Sequence, residues 1–161
     1  MIKENHMSTL YMLIGIPAAG KSTWLAKQSF DWTNTRVIST DNVIERKAQE
    51  QGKTYSEVFQ KEIKGATHQM NRELKQAIKD GANIVWDQTN LTKKSRASKL
   101  AEIPENYRKV AVFFATPDDD ELKRRLASRP GKNIPANVVL GMKSQLERPS
   151  KDEGFDEVTT A

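Results

Sequence analysis

One short segment carries the sharpest chemical signal in the chain. Gly15-Ile16-Pro17-Ala18-Ala19-Gly20-Lys21-Ser22 reads G-x-x-x-x-G-K-S, with Thr23 following. Such a segment turns successive backbone N–H groups inward around phosphate oxygens, and its glycines let the main chain approach closely. In that arrangement the Lys21 ammonium reaches the β and γ phosphates of a nucleotide, and the Ser22 hydroxyl ligates Mg²⁺. The pattern speaks for nucleotide and is silent on a second substrate.

Three further groups could act beside it. Asp41, in Ser39-Thr40-Asp41, has a functional reading as a general base taking a proton from an attacking hydroxyl. Its plainer reading is a helix-start residue on the dipole, with Thr40 as N-cap. Asp87 closes an apolar run before Gln88-Thr89-Asn90. A buried carboxylate there needs a partner or a metal-bound water, unless Thr89 and Asn90 simply make an Asx-type turn with it. Arg124, Arg125 and Arg129 precede Pro130-Gly131, a break between two helical patterns. Guanidinium groups at such a break can fold over a triphosphate as a lid. The dull version is a basic helix end complementing its own dipole.

These residues need elements to hold them. Leu10 to Ile14, Arg36 to Ile38, Asn83 to Trp86 and Val110 to Ala115 are apolar runs without period-2 alternation. Such runs suit strands covered on both faces of a parallel sheet. Tyr55 to Asp80 is the clearest helix, with Phe59, Ile63, Ala66, Met70, Leu74 and Ala77 on one stripe. Thr54 and Glu57 have capping-box spacing and Gly81 follows the end. Thr116-Pro117 and Ile134-Pro135 are expected to open two more helices. Alternating strands and helices predict an open α/β sheet with right-handed crossovers, where ligands bind beyond the carboxyl ends of the strands. The phosphate loop, Asp41 and Asp87 each follow a strand, so three constellations are expected to converge on one edge. Trp24 and Trp86 are expected to pack inside.

Composition removes whole classes of chemistry. The 161 residues include no Cys and two His, His6 and His68. Disulfide scaffolds, thiolate nucleophiles, Cys-ligated metals and multi-histidine sites are therefore out. No apolar run is long enough to span a membrane, no secretory leader is visible, and a cytoplasmic location is expected. With 26 basic against 21 acidic side chains and a pI near 9.4, the balance favours a polyanionic partner, nucleic acid or nucleotide, whereas charge runs taken alone more often mark solvated helix faces. Two clusters are candidates: Lys93, Lys94, Arg96 and Lys99, then Lys123, Arg124, Arg125, Arg129 and Lys132. Residues 1–8 are expected to be a flexible start, and 9–161 a single domain with a lid at about 124–135.

Taken in order, Gly15 to Trp24, Ser39-Thr40-Asp41, Asp87-Gln88-Thr89-Asn90-Leu91 and the segment from Arg125 to Pro135 resemble phage-type 5′-hydroxyl polynucleotide kinase, over about residues 9 to 148. The resemblance implies an adenylate-kinase-like P-loop kinase fold. It consists of an open parallel sheet of four to five strands flanked by helices, with a helical lid, and Glu153 to Val158 as a short final strand. It also implies ATP and Mg²⁺ as cofactors, a role in nucleic acid repair, and, for a phage-encoded chain, the host cytoplasm. By the same likeness Gly15 to Thr23 and Arg129 hold the nucleotide, and Lys21, Asp41, Arg129 and Arg125 are catalytic. Asp41, Asp87, Thr89, Asn90 and Arg96 would meet the acceptor, and Ser22 and Asp87 the metal. The chain departs from the family in two places. Ile44 stands where the family has an acceptor-binding Arg, with Arg46 or Arg96 as substitutes. Asp87 stands one residue earlier than in the prototype. The expected activity is transfer of the γ-phosphate to a 5′-hydroxyl of DNA or RNA. The alternatives are a kinase of sugars or nucleosides, and a nucleotide switch without acceptor.

Overall fold

The apolar runs fold as five parallel strands: β1 (Thr9–Ile14), β2 (Thr35–Ile38), β3 (Asn83–Asp87), β4 (Arg108–Phe113) and β5 (Glu157–Thr160). The computed structural model describes residues 8–161. The strands form one sheet in the order β2-β3-β1-β4-β5. Leu10, Met12, Ile14, Ile84, Trp86 and Ala111 face one side, under Met70, Leu74 and Ala77. Leu13, Val85, Val110, Val112 and Phe114 face the other, with Trp24, Leu25 and Phe30. Covering on both faces explains why the strands lack alternation.

Among the described residues six α-helices accompany them: α1 (Lys21–Ala26), α2 (Thr40–Gln51), α3 (Tyr55–Lys79), α4 (Lys93–Leu100), α5 (Asp119–Ala127) and α6 (Ala136–Gln145). The Thr54 hydroxyl accepts the Glu57 N–H at 3.2 Å while the Glu57 carboxylate accepts the Thr54 N–H at 2.7 Å. This capping box starts α3 where the spacing predicts. Ala66, Met70, Leu74 and Ala77 are buried on the expected stripe, whereas near its start Val58 is buried and Phe59 and Ile63 are only half-buried. Leu74 is fully buried, and Leu74→Ala would destabilise by about 2–5 kcal/mol.

Several boundaries differ from expectation. β4 starts at Arg108, because pairing with Thr9 and Leu10 extends it backward, and Phe114 and Ala115 leave the sheet. β5 runs later than expected, after a 3-10 turn at Lys151–Glu153, and pairs Val110 with Glu157. α5 starts at Asp119, not at Thr116-Pro117, because Asp118 Oδ1 accepts the Glu121 N–H at 2.9 Å. α6 starts at Ala136, with Pro135 as its boundary. Residues 128–135 form a loop, so the lid tip is not helical. Gly131 sits at φ 70°, where a helix cannot continue. The flexible start expected at 1–8 lies outside the described residues except for Ser8, which is tied down: its hydroxyl donates to the Gly81 carbonyl at 2.6 Å. Trp86 is buried as expected, Trp24 is half-buried against Phe30 and Phe114, and Trp32 is exposed.

Candidate active site

The loop after β1 is shaped by two close constraints. A Cβ on Gly15 would stand 2.9 Å from the Phe114 Cβ, so only glycine lets β1 exit against the end of β4. Its N–H donates to the Thr89 carbonyl at 3.0 Å, joining this loop to the one after β3. Further on, Ala18 (φ 67°) and Gly20 (φ 105°) take left-handed conformations. Such reversals turn successive N–H groups into a concave nest that favours an anion. Arg125 braces the strained Ala18 by donating to its carbonyl at 3.0 Å while also binding Glu121 at 2.7 Å.

The nest opens into a cavity of about 810 Å³. Its walls come from the ends of four strands, as an open parallel sheet requires. Pro17 to Thr23 follow β1, Asp41, Asn42 and Glu45 follow β2, and Asp87, Gln88 and Thr89 belong to β3 and its loop. Phe114 and Ala115 follow β4, and the lid loop adds Arg129, Lys132 and Ile134. Ser22 and Asp87 both face this space. Among the described residues no three His, Cys, Asp or Glu side chains cluster in a way that could hold a metal ion. A metal here would find two protein oxygens and take its other ligands from water and phosphate. Mg²⁺ tolerates that arrangement.

Electrostatics divide the cavity into a phosphate-loop side and an α2–α3 side, named the donor side and the acceptor side after the roles proposed for them below. On the donor side Lys21 Nζ donates to the carbonyls of Gly15 at 2.6 Å and Ile16 at 3.0 Å. Burial pulls its pKa down to about 8, against the opposing pull of Asp87 and Asp41. Burial likewise raises the pKa of Asp87, with Lys21 opposing. Both groups are pushed towards neutrality. Arg129 adds a buried guanidinium nitrogen, Nη1, that has no hydrogen-bond partner. An unpaired buried donor is costly unless something anionic completes it.

The acceptor side is made of side chains. Ser39, not Thr40, caps α2 by accepting the Asn42 N–H at 3.2 Å, which puts Asp41 in the first turn. Thr40 instead accepts from Gln88 at 3.2 Å. Asp41 is half-exposed, and its Oδ1 accepts the Tyr55 hydroxyl at 2.6 Å. Burial and that bond push the Tyr55 pKa up. Lys132 stands 3.9 Å from Asp41 Oδ2, 2.8 Å from Glu45, and over the Tyr55 ring at 4.6 Å. The lid loop is docked here as well, because Ser56 N–H donates to the Gly131 carbonyl at 3.0 Å and Asn133 N–H to the Ser56 hydroxyl at 2.9 Å.

Lys21, Ser22, Asp41, Asp87, Thr89, Arg125 and Arg129 therefore meet at one cavity. Arg96 and Asn90 do not. Arg96 is fully buried, bound by Glu153 at 2.8 Å and by the carbonyls of Asn90 and Leu91 at 2.8 and 3.1 Å. It cannot meet an acceptor without breaking a buried ion pair. Asn90 is also buried, at φ 48°, with its amide on the Leu13 carbonyl at 2.7 Å and its Oδ1 taken by Lys99 at 2.5 Å. Lys99 points inward over the Trp86 ring at 5.5 Å, and burial lowers its pKa to about 8. The cluster Lys93, Lys94, Arg96 and Lys99 is thus no surface patch. Ile44 is buried against α3 with Val58 and Ala66, and Arg46 is paired with Glu73 at 2.9 Å.

Tyr55, Glu45 and Gln88 are site residues that the sequence did not single out, and Lys132 was read only as a member of a basic cluster. Glu45 was detectable as the residue four after Asp41 on one helix face. Lys132 was detectable as the cation just past Pro130-Gly131. Tyr55 carries no such signal, since only the packing of α3 on α2 brings it to Asp41.

A profile described as an AAA domain matches residues 10–149. Heterogeneous nuclear ribonucleoprotein U-like protein 2 of Mus musculus is 26% identical over 156 residues, covering 92% of this chain and 21% of that protein. A chain in the structure of the Pnkp1/Rnl/Hen1 RNA repair complex superposes with TM-score 0.67 at 23% identity, over 97% of this chain and 49% of that one. A fungal RNA kinase superposes with TM-score 0.53 at 14% identity, over 95% of this chain and 74% of that one. The chain thus spans about a fifth of the curated relative and about half of the repair-complex chain. With 140 of its residues inside that profile and the parallel sheet and phosphate loop in place, the chain belongs to this AAA-domain family and has the P-loop kinase fold.

Proposed function

We propose that the chain is an ATP-dependent kinase that transfers the γ-phosphate to the 5′-hydroxyl of DNA or RNA. One observation carries the reading: Lys21, Arg129 and Asp41, from a loop, a lid and a helix start, line the same cavity. The donor side fits a polyphosphate, because a main-chain nest, the Lys21 ammonium and the unpartnered Arg129 nitrogen stand together there. Ser22 and Asp87 would hold Mg²⁺, which neutralises phosphate charge when bound.

In the transfer, the acceptor oxygen forms a bond to the γ-phosphorus as the bond to the β-phosphate oxygen breaks. Asp41 orients the hydroxyl and accepts its proton. Lys21 and Arg129 neutralise charge on the transferring group, so positioning and electrostatics do most of the catalysis. The nucleic acid acceptor is supported by the RNA repair complex and RNA kinase among the structural neighbours, and by the net charge of +5.

A second reading, a kinase of small alcohols such as sugars or nucleosides, is favoured by the acceptor side itself. Ile44 and Arg96 are buried, and Lys132 is shared between two carboxylates. Label transfer from γ-labelled ATP to 5′-hydroxyl oligonucleotides, nucleosides and sugars decides between them. Labelled oligonucleotide is the expected product. Label confined to a small alcohol would install the second reading, and label released only as free phosphate would remove both.

A further inference from the structure

The outer face of α3 carries a second charged surface, away from the cavity. Lys61, Lys64, His68, Arg72, Lys75 and Lys79 are spaced three, four, four, three and four residues apart. At 100° per residue they fall within an arc of about 80°. All six side chains are exposed, and the arc lies opposite Ala66, Met70 and Ala77, which pack inward. With 1.5 Å of rise per residue, the row is about 27 Å long.

A charged helix face is ordinarily just solvated, and such faces commonly interleave acids with bases at i and i+4. This one does not. The acids of α3 nearest the row sit on its flank and are taken: Glu62 by the Gln51 amide and Glu73 by Arg46, both at 2.9 Å. Asp80, just past the helix, is taken by Arg36 at 2.8 Å. Among the described residues, none of the row's cations has a carboxylate within 4.0 Å. Like charges three and four apart weaken a helix. Here five such charges, Lys61, Lys64, Arg72, Lys75 and Lys79, stand uncompensated along five turns, with His68 between them.

We propose that this row docks the phosphodiester backbone of a nucleic-acid strand. A backbone is a polyanion with regularly spaced charges. A cationic row of comparable length binds it by releasing condensed counterions. Long lysine and arginine side chains reach phosphates without reading bases, so the contact positions a strand and ignores its sequence. Docking requires nothing from phosphoryl transfer, and it stands or falls separately from the proposed activity.

The test is fluorescence anisotropy of a labelled single strand of about 20 nucleotides, without ATP, between about 50 and 200 mM salt. The variant Lys64→Gln/Arg72→Gln/Lys75→Gln should flatten the slope of log affinity on log salt by about 2, at about 0.7 per lost phosphate contact. A matched variant, Lys93→Gln/Lys94→Gln/Lys123→Gln, removes equal charge elsewhere and should change the slope little. Equal flattening in both would mean that net charge binds, and would overturn the docking surface. So would an unchanged slope in the α3 variant. Capture of phosphatidylserine vesicles without oligonucleotide binding would overturn it in favour of a membrane contact. Thermal melting checks each variant, and the single variants Lys64→Gln and Lys75→Gln, each worth about 0.7 in slope, serve if the triple unfolds.

Discussion

The two sides of the cavity are built from different material. The donor side is main chain: a loop with Ala18 and Gly20 in left-handed conformations, a lysine folded onto its own loop, and an arginine nitrogen left unpaired. The acceptor side is a set of side chains from α2, α3 and the lid that already satisfy one another. Asp41 takes Tyr55, Lys132 takes Glu45, and the lid backbone takes Ser56. A main-chain nest depends on a few consecutive residues and is open to any phosphate. A side-chain network depends on how distant elements pack, and it must be partly dismantled before an acceptor enters.

The largest expected effect tests the unpaired half of that contrast. Arg129→Ala should lower transfer by about 10³ or more, by analogy with other arginines that neutralise a transferring phosphoryl group. Arg129→Lys should restore little, because an ammonium cannot reproduce the planar guanidinium fork. Single-turnover transfer measures both. Near-normal turnover in the lysine variant would make Arg129 a generic cation and erase the distinction between the two sides.

Next comes the acceptor side. Asp41→Asn keeps the shape of the side chain but removes its charge and basicity. Transfer should fall by about 10² to 10⁴-fold, the usual contribution of a positioned base. Nucleotide affinity, measured by calorimetry on the same preparation, should stay near the parent value. A joint loss of both would show that the two sides are not separable, and undiminished transfer would pass the role to Asp87.

The same contrast explains what the sequence made legible. The phosphate loop, the ends of β1 and β2 and the long helix were readable because each rests on local pattern: consecutive residues, apolar runs, a capping box at Thr54 and Glu57. The fate of α4 was not. Lys93, Lys94, Arg96 and Lys99 look like one basic patch in the sequence. Arg96, one turn before Leu100, shares its inward-packing face, while Lys93 and Lys94 stay exposed. What neutralises Arg96 is Glu153, fifty-seven residues away. Ile44 shows the same thing in α2, since the helical period that aims Asp41 and Glu45 at the cavity sends Ile44 into α3. Pairings of this kind are long-range and leave no mark on local spacing.

A smaller effect sharpens the acceptor network. Tyr55→Phe keeps the ring against Phe59 and beneath Lys132, and deletes only the hydroxyl on Asp41. A hydrogen bond of that kind contributes about 1 kcal/mol, so transfer should fall about fivefold. Because the change is confined to the acceptor side, the KM for nucleotide should not move. A shift in that KM larger than the loss in rate would mean that Tyr55 supports the cavity as a whole.

The smallest effect is a fraction of a proton, and it belongs to the donor side alone. Lys21 has a pKa of about 8 in this structure, against an ordinary value of 10.5, because burial disfavours its charged form. At pH 8 about half of the molecules therefore hold it neutral. Nucleotide phosphates favour the charged form, so binding should draw in about half a proton at pH 8, more at pH 9 and almost none near pH 6.5. Calorimetry in buffers of different ionisation enthalpy measures that uptake. Lys21→Arg, always charged, should show none. The same depression sets the sign for stability. Between about pH 8 and 10.5 the unfolded chain holds more protons at this residue than the folded one, so its contribution to stability rises with pH through that window. Below it, the full burial penalty is present. Lys99 moves in the same direction from a site far from phosphate, so the stability trace alone cannot isolate Lys21. Proton uptake on nucleotide binding can, because Lys99 is spent on Asn90 and the Trp86 ring and should not respond. Uptake that persists in Lys21→Arg and disappears in Lys99→Met would move the titrating group out of the cavity. The donor side would then lose the property that most separates it from the self-satisfied acceptor side.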